Sequence, residues 1–285
     1  MSAIESKEKL FLDLDKVLKD RNPGLYRMLP GFILRYLKRI IHQDELNYIM
    51  RTYKDFEGLD FVIEVLNYFE IKTTIVGGEN VPKEGRFVFA SNHPIGGVDG
   101  MIFMQEVGKF FGSTKSMIND LLMNITNMQS LFVGVNKHGS NSRDGLEQID
   151  SAFASDDQIL IFPAGLASRR KNGKIRDTEW KKTFLSKAVK YERDIIPVHI
   201  SGRVSNFFYN FANLRKLLGI KANLEMLYLS DETFKQKKKN FTITYGKPIP
   251  YQTFDKRQTQ NQWAQLIKEH VYRIKDDKNA EFITE

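Results

Sequence analysis

The sequence predicts an α/β fold: a mixed, mostly parallel sheet flanked by helices, with an N-terminal helical extension. Three observations predict it. Between residues 71 and 250, short runs rich in Ile, Val, Phe or Thr alternate with helical segments, the alternation that builds a largely parallel sheet. Residues 1–70 read as helical. Residues 251–285 are polar and read as helical as well. The chain therefore divides into a helical region, 1–70, and a main domain, 71–285, with no internal repeat or low-complexity tract.

Taken in order, the expected strands are 71–76, 86–90, 132–135, 158–162, 194–200 and 241–245. Helices are expected over 99–111, 142–155, 178–192 and 205–218. Within the N-terminal region, residues 25–41 carry the clearest helical pattern: Leu25, Met28, Leu29, Phe32, Ile33, Tyr36, Leu37, Ile40 and Ile41 form one stripe. Pro30 suits a first turn, so a helix starts or kinks there. The charges in this stretch are Arg27, Arg35, Lys38 and Arg39, all positive. Two readings stay open: a helix lying in an anionic membrane interface, or a helix packed on the domain core. The 207–218 segment, with Phe207, Phe208, Tyr209, Phe211, Arg215 and Lys216, is a second interfacial candidate.

Composition narrows the function. Lys and Arg number 43 against 35 Asp and Glu, a formal charge of +8, which suits an acidic substrate, an acidic carrier protein, an anionic membrane or nucleic acid. No RNA-binding signature, zinc finger or basic recognition helix supports nucleic acid, and the lysines at 235 and 237–239 read as a solvated loop. The absence of cysteine excludes disulfides, a thiol nucleophile, thiolate zinc sites and iron–sulfur clusters. Glu5, Lys7, Glu8 and Lys9 stand where a signal peptide needs an apolar core. No run approaches the roughly 18 apolar residues of a membrane-spanning helix. An intracellular protein, soluble or resting on a membrane face, is expected.

In α/β sheets, sites form beyond the carboxyl ends of strands. The 86–90 strand is followed by Ser91-Asn92-His93-Pro94-Ile95-Gly96-Gly97-Val98-Asp99. The 132–135 strand is followed by a segment with Lys137, His138 and Arg143. The 158–162 strand runs into Phe162-Pro163-Ala164-Gly165, then Ser168, Arg169 and Arg170. A histidine takes a hydroxyl proton near neutral pH, and a carboxylate that fixes its tautomer improves it. His93 and Asp99 are such a pair, or else a turn in which Asp99 caps a helix and His93 is structural. Arg169 and Arg170 suit a phosphate or carboxylate, or form a solvated basic face with Lys171, Lys174, Arg176, Lys181 and Lys182. Of the other histidines, His42 reads as a surface residue on a helix, His199 as a hydrogen-bonded core residue, and His270 as a member of the C-terminal helix. No metal site is expected. Serine-hydrolase elbows, P-loops and dinucleotide fingerprints are absent.

At these loops the sequence resembles the glycerolipid acyltransferase family of the lysophosphatidic acid type, as a diverged bacterial member. Asn92-His93 through Asp99 resembles its Asn-His…Asp block. Val133 to Arg143 resembles its second block, and Phe162-Pro163-Ala164-Gly165 through Arg169 its Phe-Pro-Glu-Gly-Thr-Arg block. Ile196-Pro197-Val198 resembles its terminal block, and Lys181-Lys182 its Phe-Lys-Lys-Gly stretch. Two departures stand out. Five residues separate His93 from Asp99, one more than the family pattern, and Ala164 and Leu166 replace its Glu and Thr.

The resemblance implies an O-acyltransferase moving a fatty acyl group from an acyl carrier protein or CoA thioester to a hydroxyl of a lyso-lipid, either a lysophospholipid or a 3-hydroxyacyl amino-acid lipid. It makes 71–285 the acyltransferase domain. His93 is then the base and Asp99 its orienter, with backbone N–H groups near Gly165 receiving the oxyanion. Asn92, Lys137, Arg143, Phe162, Pro163, Gly165, Ser168, Arg169, Arg170 and Lys182 are the implied substrate-binding set. No cofactor beyond the thioester co-substrate is implied. The protein would sit peripherally on the inner face of the cytoplasmic membrane. Ala164 points to an acceptor other than lysophosphatidic acid, or to an inactive relative that only binds anionic lipid.

Overall fold

The computed structural model describes residues 10–119, 122–135 and 143–284. Five helices come first: α1 (Leu14–Arg21), α2 (Pro23–Met28), α3 (Gly31–Ile40), α4 (Gln43–Thr52) and α5 (Gly58–Tyr68). The remainder alternates: β1 (Lys72–Val76), β2 (Phe87–Ser91), α6 (Val98–Phe111), β3 (Thr114–Asn119), β4 (Phe132–Val135), α7 (Arg143–Ala154), β5 (Gln158–Ile161), β6 (Arg169–Lys171), β7 (Lys174–Arg176), α8 (Thr183–Lys190), β8 (Asp194–Ile200), α9 (Asn206–Leu217), α10 (Leu229–Phe234), β9 (Asn240–Tyr245) and α11 (Gln260–Ile274).

Seven strands form one sheet in the order β1-β9-β8-β2-β5-β3-β4. All neighbours are parallel except β8 and β9, so β1 and β9 run against the other five. The mixed, mostly parallel sheet is the expected one. All six expected strands are present, and β3 and the separate β6–β7 hairpin join them.

Side chains alternate between two cores, as the twofold period of a strand requires. Phe87 and Phe89 of β2 pack on one face with Phe61, Phe103 and Phe208. Val88 and Ala90 pack on the other with Phe153, Trp180, Phe184 and Trp263. Because both faces are covered, β2 is buried along its whole length, which is why parallel strands read as continuous apolar runs. The first core also holds Ile49 of α4 and Phe61, Val62, Val65 and Leu66 of α5, so α5 packs as part of the sheet layer and not as a separate extension.

Pro30 divides the 25–41 stripe. It takes an extended conformation ahead of α3, and α2 ends at Met28. Ile40 is buried, whereas Met28 is 80% and Phe32 64% exposed, with Leu25 and Tyr36 also on the surface. Lys38 forms an ion pair with Asp15 of α1. His42 departs from the expected surface helical position. It adopts a left-handed backbone ahead of α4, stacks on Phe234 at 4.1 Å, and shares a hydrogen bond with Asp231 at 3.2 Å. It therefore fastens the N-terminal helices to α10. His199 and His270 are buried, and burial pushes both down to about 4, so both are neutral at physiological pH. Among the described residues no helix is long and apolar enough to cross a membrane.

Arg193 shows how the sheet is tied at its entry side. It is fully buried and donates to carbonyls only: Phe153 at 2.8 Å, Asp157 at 2.7 Å, Phe87 at 3.4 Å, and Ser155. Phe153 and Ser155 lie at the carboxyl end of α7, where the helix dipole favours a cation. Burial drags its pKa down to about 10, leaving it charged. Arg193→Met keeps the apolar stem but orphans these acceptors. We expect a loss of at least about 3 kcal/mol, since each charged hydrogen bond is worth roughly 1.5–3 kcal/mol. Chemical denaturation followed by circular dichroism measures it, and a variant as stable as wild type would refute the assigned role.

Candidate active site

Strand pairing builds the site. β2 and β5 are parallel neighbours with Ala90 opposite Ile161, so the loops leaving them, one with His93 and one with Phe162, emerge side by side. Asn92 continues β2 past its end by mimicking a strand: its amide accepts from Ile200 N at 2.8 Å and donates to Ile200 O at 2.9 Å. This fixes where His93 begins.

Asp99 lies in the first turn of α6 and is fully buried. Its carboxylate accepts from His93 Nδ1 at 3.0 Å and from the backbone N–H groups of Ile95 (2.9 Å), Gly96 (3.0 Å), Gly97 (2.9 Å) and Gly100 (3.1 Å). Burial pushes its pKa up, but His93 and the backbone donors outweigh burial and hold it below the ordinary carboxylate value. The five-residue spacing therefore still allows contact. Gly96 has φ +96°, and a Cβ there would stand 2.9 Å from Leu229 Cδ1, while one on Gly97 would overlap Thr233 Oγ1. Only glycines let the longer loop fold back beneath α10.

With Nδ1–H given to Asp99, the network assigns the lone pair to Nε2. Burial lowers the imidazole pKa, Asp99 raises it more, and the net direction is upward. Phe162 stacks on the ring at 3.9 Å, inclined by 20°, which blocks rotation out of register. The side chain remains 16% exposed, so the base is both held and reachable.

The β6–β7 hairpin clamps the histidine's backbone. Ser168 N donates to His93 O at 2.7 Å. His93 N donates to Asp177 Oδ1 at 3.2 Å, and Ser168 Oγ donates to the same oxygen at 2.6 Å. The hairpin turns at Asn172-Gly173, both with positive φ, the pattern of a tight two-residue turn. That dipeptide was the available signal for the hairpin, and hence for Asp177; the basic residues around it drew the reading toward a solvated face.

Three expected substrate ligands have their polar atoms on protein partners instead. Asn92 is spent on β8, and the Ser168 hydroxyl on Asp177. Arg169 is buried; its guanidinium donates to Ala167 O at 2.6 Å and to Glu225 Oε1 at 3.1 Å. Glu225 is held from its other side by Arg215 at 2.8 Å. A fully desolvated carboxylate between two guanidiniums shapes the fold and leaves Arg169 no free fork for a headgroup. Arg170 is the half-exposed one, resting over Tyr209 and bonded to Asn206 at 3.3 Å and to Asn210. Gly165 is exposed, but its N–H closes a turn on Phe162 O at 2.9 Å and is not open to an oxyanion. Pro163 and Ala164 are buried and Lys182 is exposed. Lys137 and His138 lie outside the described residues, as does the side chain of Arg143. Among the described residues no cluster of His, Asp and Glu is disposed to hold a metal.

His93 paired with Asp99 has the arrangement that a general base requires. Among the described residues Ser168 is tied to a buried carboxylate, and the chain has no cysteine.

The chain is similar to several known proteins. A protein from Bacteroides thetaiotaomicron named lyso-glycine lipid O-acyltransferase is 49% identical over 269 residues, covering 94% of this chain and 99% of its own. One of the same name from Phocaeicola vulgatus is 47% identical over 269 residues, covering 94% and 96%. The crystal structure of the 1-acyl-sn-glycerophosphate (LPA) acyltransferase PlsC from Thermotoga maritima aligns over 94% of this chain and 95% of that one, at 16% identity and a TM-score of 0.47. The model of a family described as acyltransferase matches residues 16–281. Spanned almost end to end by that match, the chain belongs to the acyltransferase family and is an acyltransferase.

Proposed function

We propose that the enzyme transfers a fatty acyl group from an acyl carrier protein or CoA thioester to the free hydroxyl of an acylated amino-acid lyso-lipid of the lyso-glycine lipid kind. The observation that carries this reading is the His93–Asp99 pair, aimed outward with no protein nucleophile beside it. Nε2 takes the acceptor's hydroxyl proton as the oxygen attacks the thioester carbonyl. The new C–O bond forms, the C–S bond breaks, and the proton passes from the imidazolium to the departing thiolate. Asp99 stays ionised and stabilises the imidazolium. The relatives' names support the acceptor class. Ala164, in place of the Glu of the lysophosphatidic acid type, supports a different acceptor. Arg170 is then the cation for the acceptor's carboxylate. Exposed Lys171, Lys174, Lys181 and Lys182 suit an anionic donor.

The acceptor is a lipid, and the surface fits a membrane. Leu25, Met28, Phe32 and Tyr36 of α2 and α3 are exposed, as are Phe207, Leu214 and Leu217 of α9. Tyr36 and Tyr228 hydroxyls meet at 2.7 Å, and Tyr228 packs edge-on against Phe207 at 4.9 Å, which joins the two patches. Arg27, Arg35 and Arg39 are exposed around them. We propose that this surface rests on an anionic membrane, the cations contributing about 1 kcal/mol each and the apolar side chains about 25 cal/mol per Å² buried.

Three outcomes test the reading. His93→Ala should lower acyl transfer by at least about 10²–10⁴-fold while the protein stays folded, read by mass spectrometry of the ester formed from a labelled donor and a lyso-glycine lipid. Because the neutral imidazole is the active form, wild-type kcat/KM should fall as pH drops through the His93 pKa, and that limb should lie above the ordinary value of about 6.5. Wild-type turnover by the variant, or a limb below that value, would overturn the role.

Arg170→Ala should raise KM for the acceptor with kcat little changed. Arg169→Ala should instead cost about 3–5 kcal/mol of stability by stranding part of a buried charge, seen as an early thermal melt. The reverse pattern would return the headgroup to Arg169.

Phe32→Asp should leave the melt unchanged and abolish co-sedimentation with vesicles containing phosphatidylglycerol, even at low salt. High salt should weaken wild-type binding only in part, because screening acts on the charges and not on apolar insertion. A folded Phe32→Asp protein that sediments like wild type would reject the interfacial surface.

A further inference from the structure

Two carboxylates hold His93, and the mechanism above uses only one. Asp177 sits just past β7, buried beneath the catalytic loop. It accepts three hydrogen bonds: from His93 N, from Ser168 Oγ, and from Trp180 Nε1 at 2.9 Å. Its own N–H donates to the Tyr272 hydroxyl at 2.7 Å. No Lys or Arg forms an ion pair with it among the described residues. Neighbouring Arg176 is turned away onto Glu269 at 2.8 Å and over the Tyr272 ring. A buried carboxylate with three donors and no cation is unusual, because burying an unpaired charge is costly. Its one ionisable partner of opposite potential charge is His93 itself.

We propose that Asp177 is a second positioning residue for the acyl transfer inferred above: it pins the backbone of His93 through the hairpin and, as an anion, stabilises the imidazolium formed when His93 takes the acceptor's proton. The proton goes from acceptor oxygen to Nε2 and on to the leaving thiolate; Asp177 neither gains nor loses one. Asp99 addresses the ring from the front through Nδ1, and Asp177 addresses the same residue from below through its backbone. The charged groups facing His93 are Asp99 and Asp177, which favour its protonated form, and Arg169, which opposes it. Burial raises the Asp177 pKa by more than its three donors and His93 lower it, so the net direction is upward. An imidazolium on His93 draws the carboxyl back toward its ionised form, so the pair gains most at the step where the imidazolium exists.

The test is Asp177→Asn, which retains an acceptor for His93 N and Ser168 Oγ while removing the charge. Its amide nitrogen would face the indole N–H, so Asp177→Asn/Trp180→Phe is made in parallel to remove that clash, and Ser168→Ala gives a milder perturbation that weakens the ionised form. Two readouts are taken on the full chain. One is the imidazole titration of His93 by NMR, assigned with His93→Gln. The other is kcat and KM against pH, with labelled acyl donor and lyso-glycine lipid.

The proposal expects the His93 titration and the acid limb of kcat/KM to move together to lower pH, by about one unit for loss of one nearby charge. It expects kcat to fall about tenfold, the equivalent of one unit, with the acceptor KM unchanged. Ser168→Ala should move both the same way by less. A folded variant with an unmoved titration and limb means that Asp177 is neutral or merely structural, and overturns the proposal; so does a loss that appears in KM alone. The NMR arm needs no turnover. An absence of transfer by wild type therefore rejects the acyltransfer reading, while a displaced His93 titration still upholds the coupling to Asp177.

Discussion

The fold and the site meet in the buried carboxylate of Asp99. Four backbone N–H groups and one imidazole converge on its two oxygens. A charge desolvated to this degree is stable only where donors are already fixed; three come from the turn ahead of α6 and one, the Gly100 N–H, from its first turn. The carboxylate thereby sets the path of the loop between β2 and α6, the start of α6, and the orientation of His93. Because those N–H groups are committed to Asp99, this loop does not also serve an oxyanion, and the Gly165 turn does not either.

A second layer fixes the histidine from outside the sheet. Ser168 and Asp177 flank the β6–β7 hairpin and hold the backbone C=O and N–H of His93 between them. The Arg169–Glu225–Arg215 cluster anchors the same hairpin to the turn ahead of α10. Residues that a motif reading assigns to substrate thus hold the base in place. Arg170, half-exposed though bonded to Asn206 and Asn210, and the exposed lysines beyond it form a cationic rim. This division fits an enzyme whose acceptor arrives from a membrane: a rigid base beneath a rim of cations and exposed apolar side chains.

Much of the sheet was legible in the sequence because its central strands are buried on both faces and so carry unbroken apolar runs. β3 was not, since Thr114, Lys115 and Ser116 give no such run; pairing between β4 and β5 makes it a strand. The contact between His93 and Asp99 was legible because both lie on one short segment between β2 and the first turn of α6. The roles of Asn92 and Arg169 were not, because their partners, Ile200 and Glu225, are 108 and 56 residues away, and side-chain pairing over such distances leaves no local pattern. Pro30 was read correctly as an interruption. His42 was misread because its left-handed backbone and its partners on α10 are set by tertiary packing.

Gly96 and Gly97 rest directly on Leu229 and Thr233. The loop between His93 and Asp99 and the helix roofing it are consequently packed as one unit. A deletion in that loop would open a void under α10, and a bulkier α10 would press on the dyad. Changing the number of residues between His93 and Asp99 would therefore require Leu229 and Thr233 to repack.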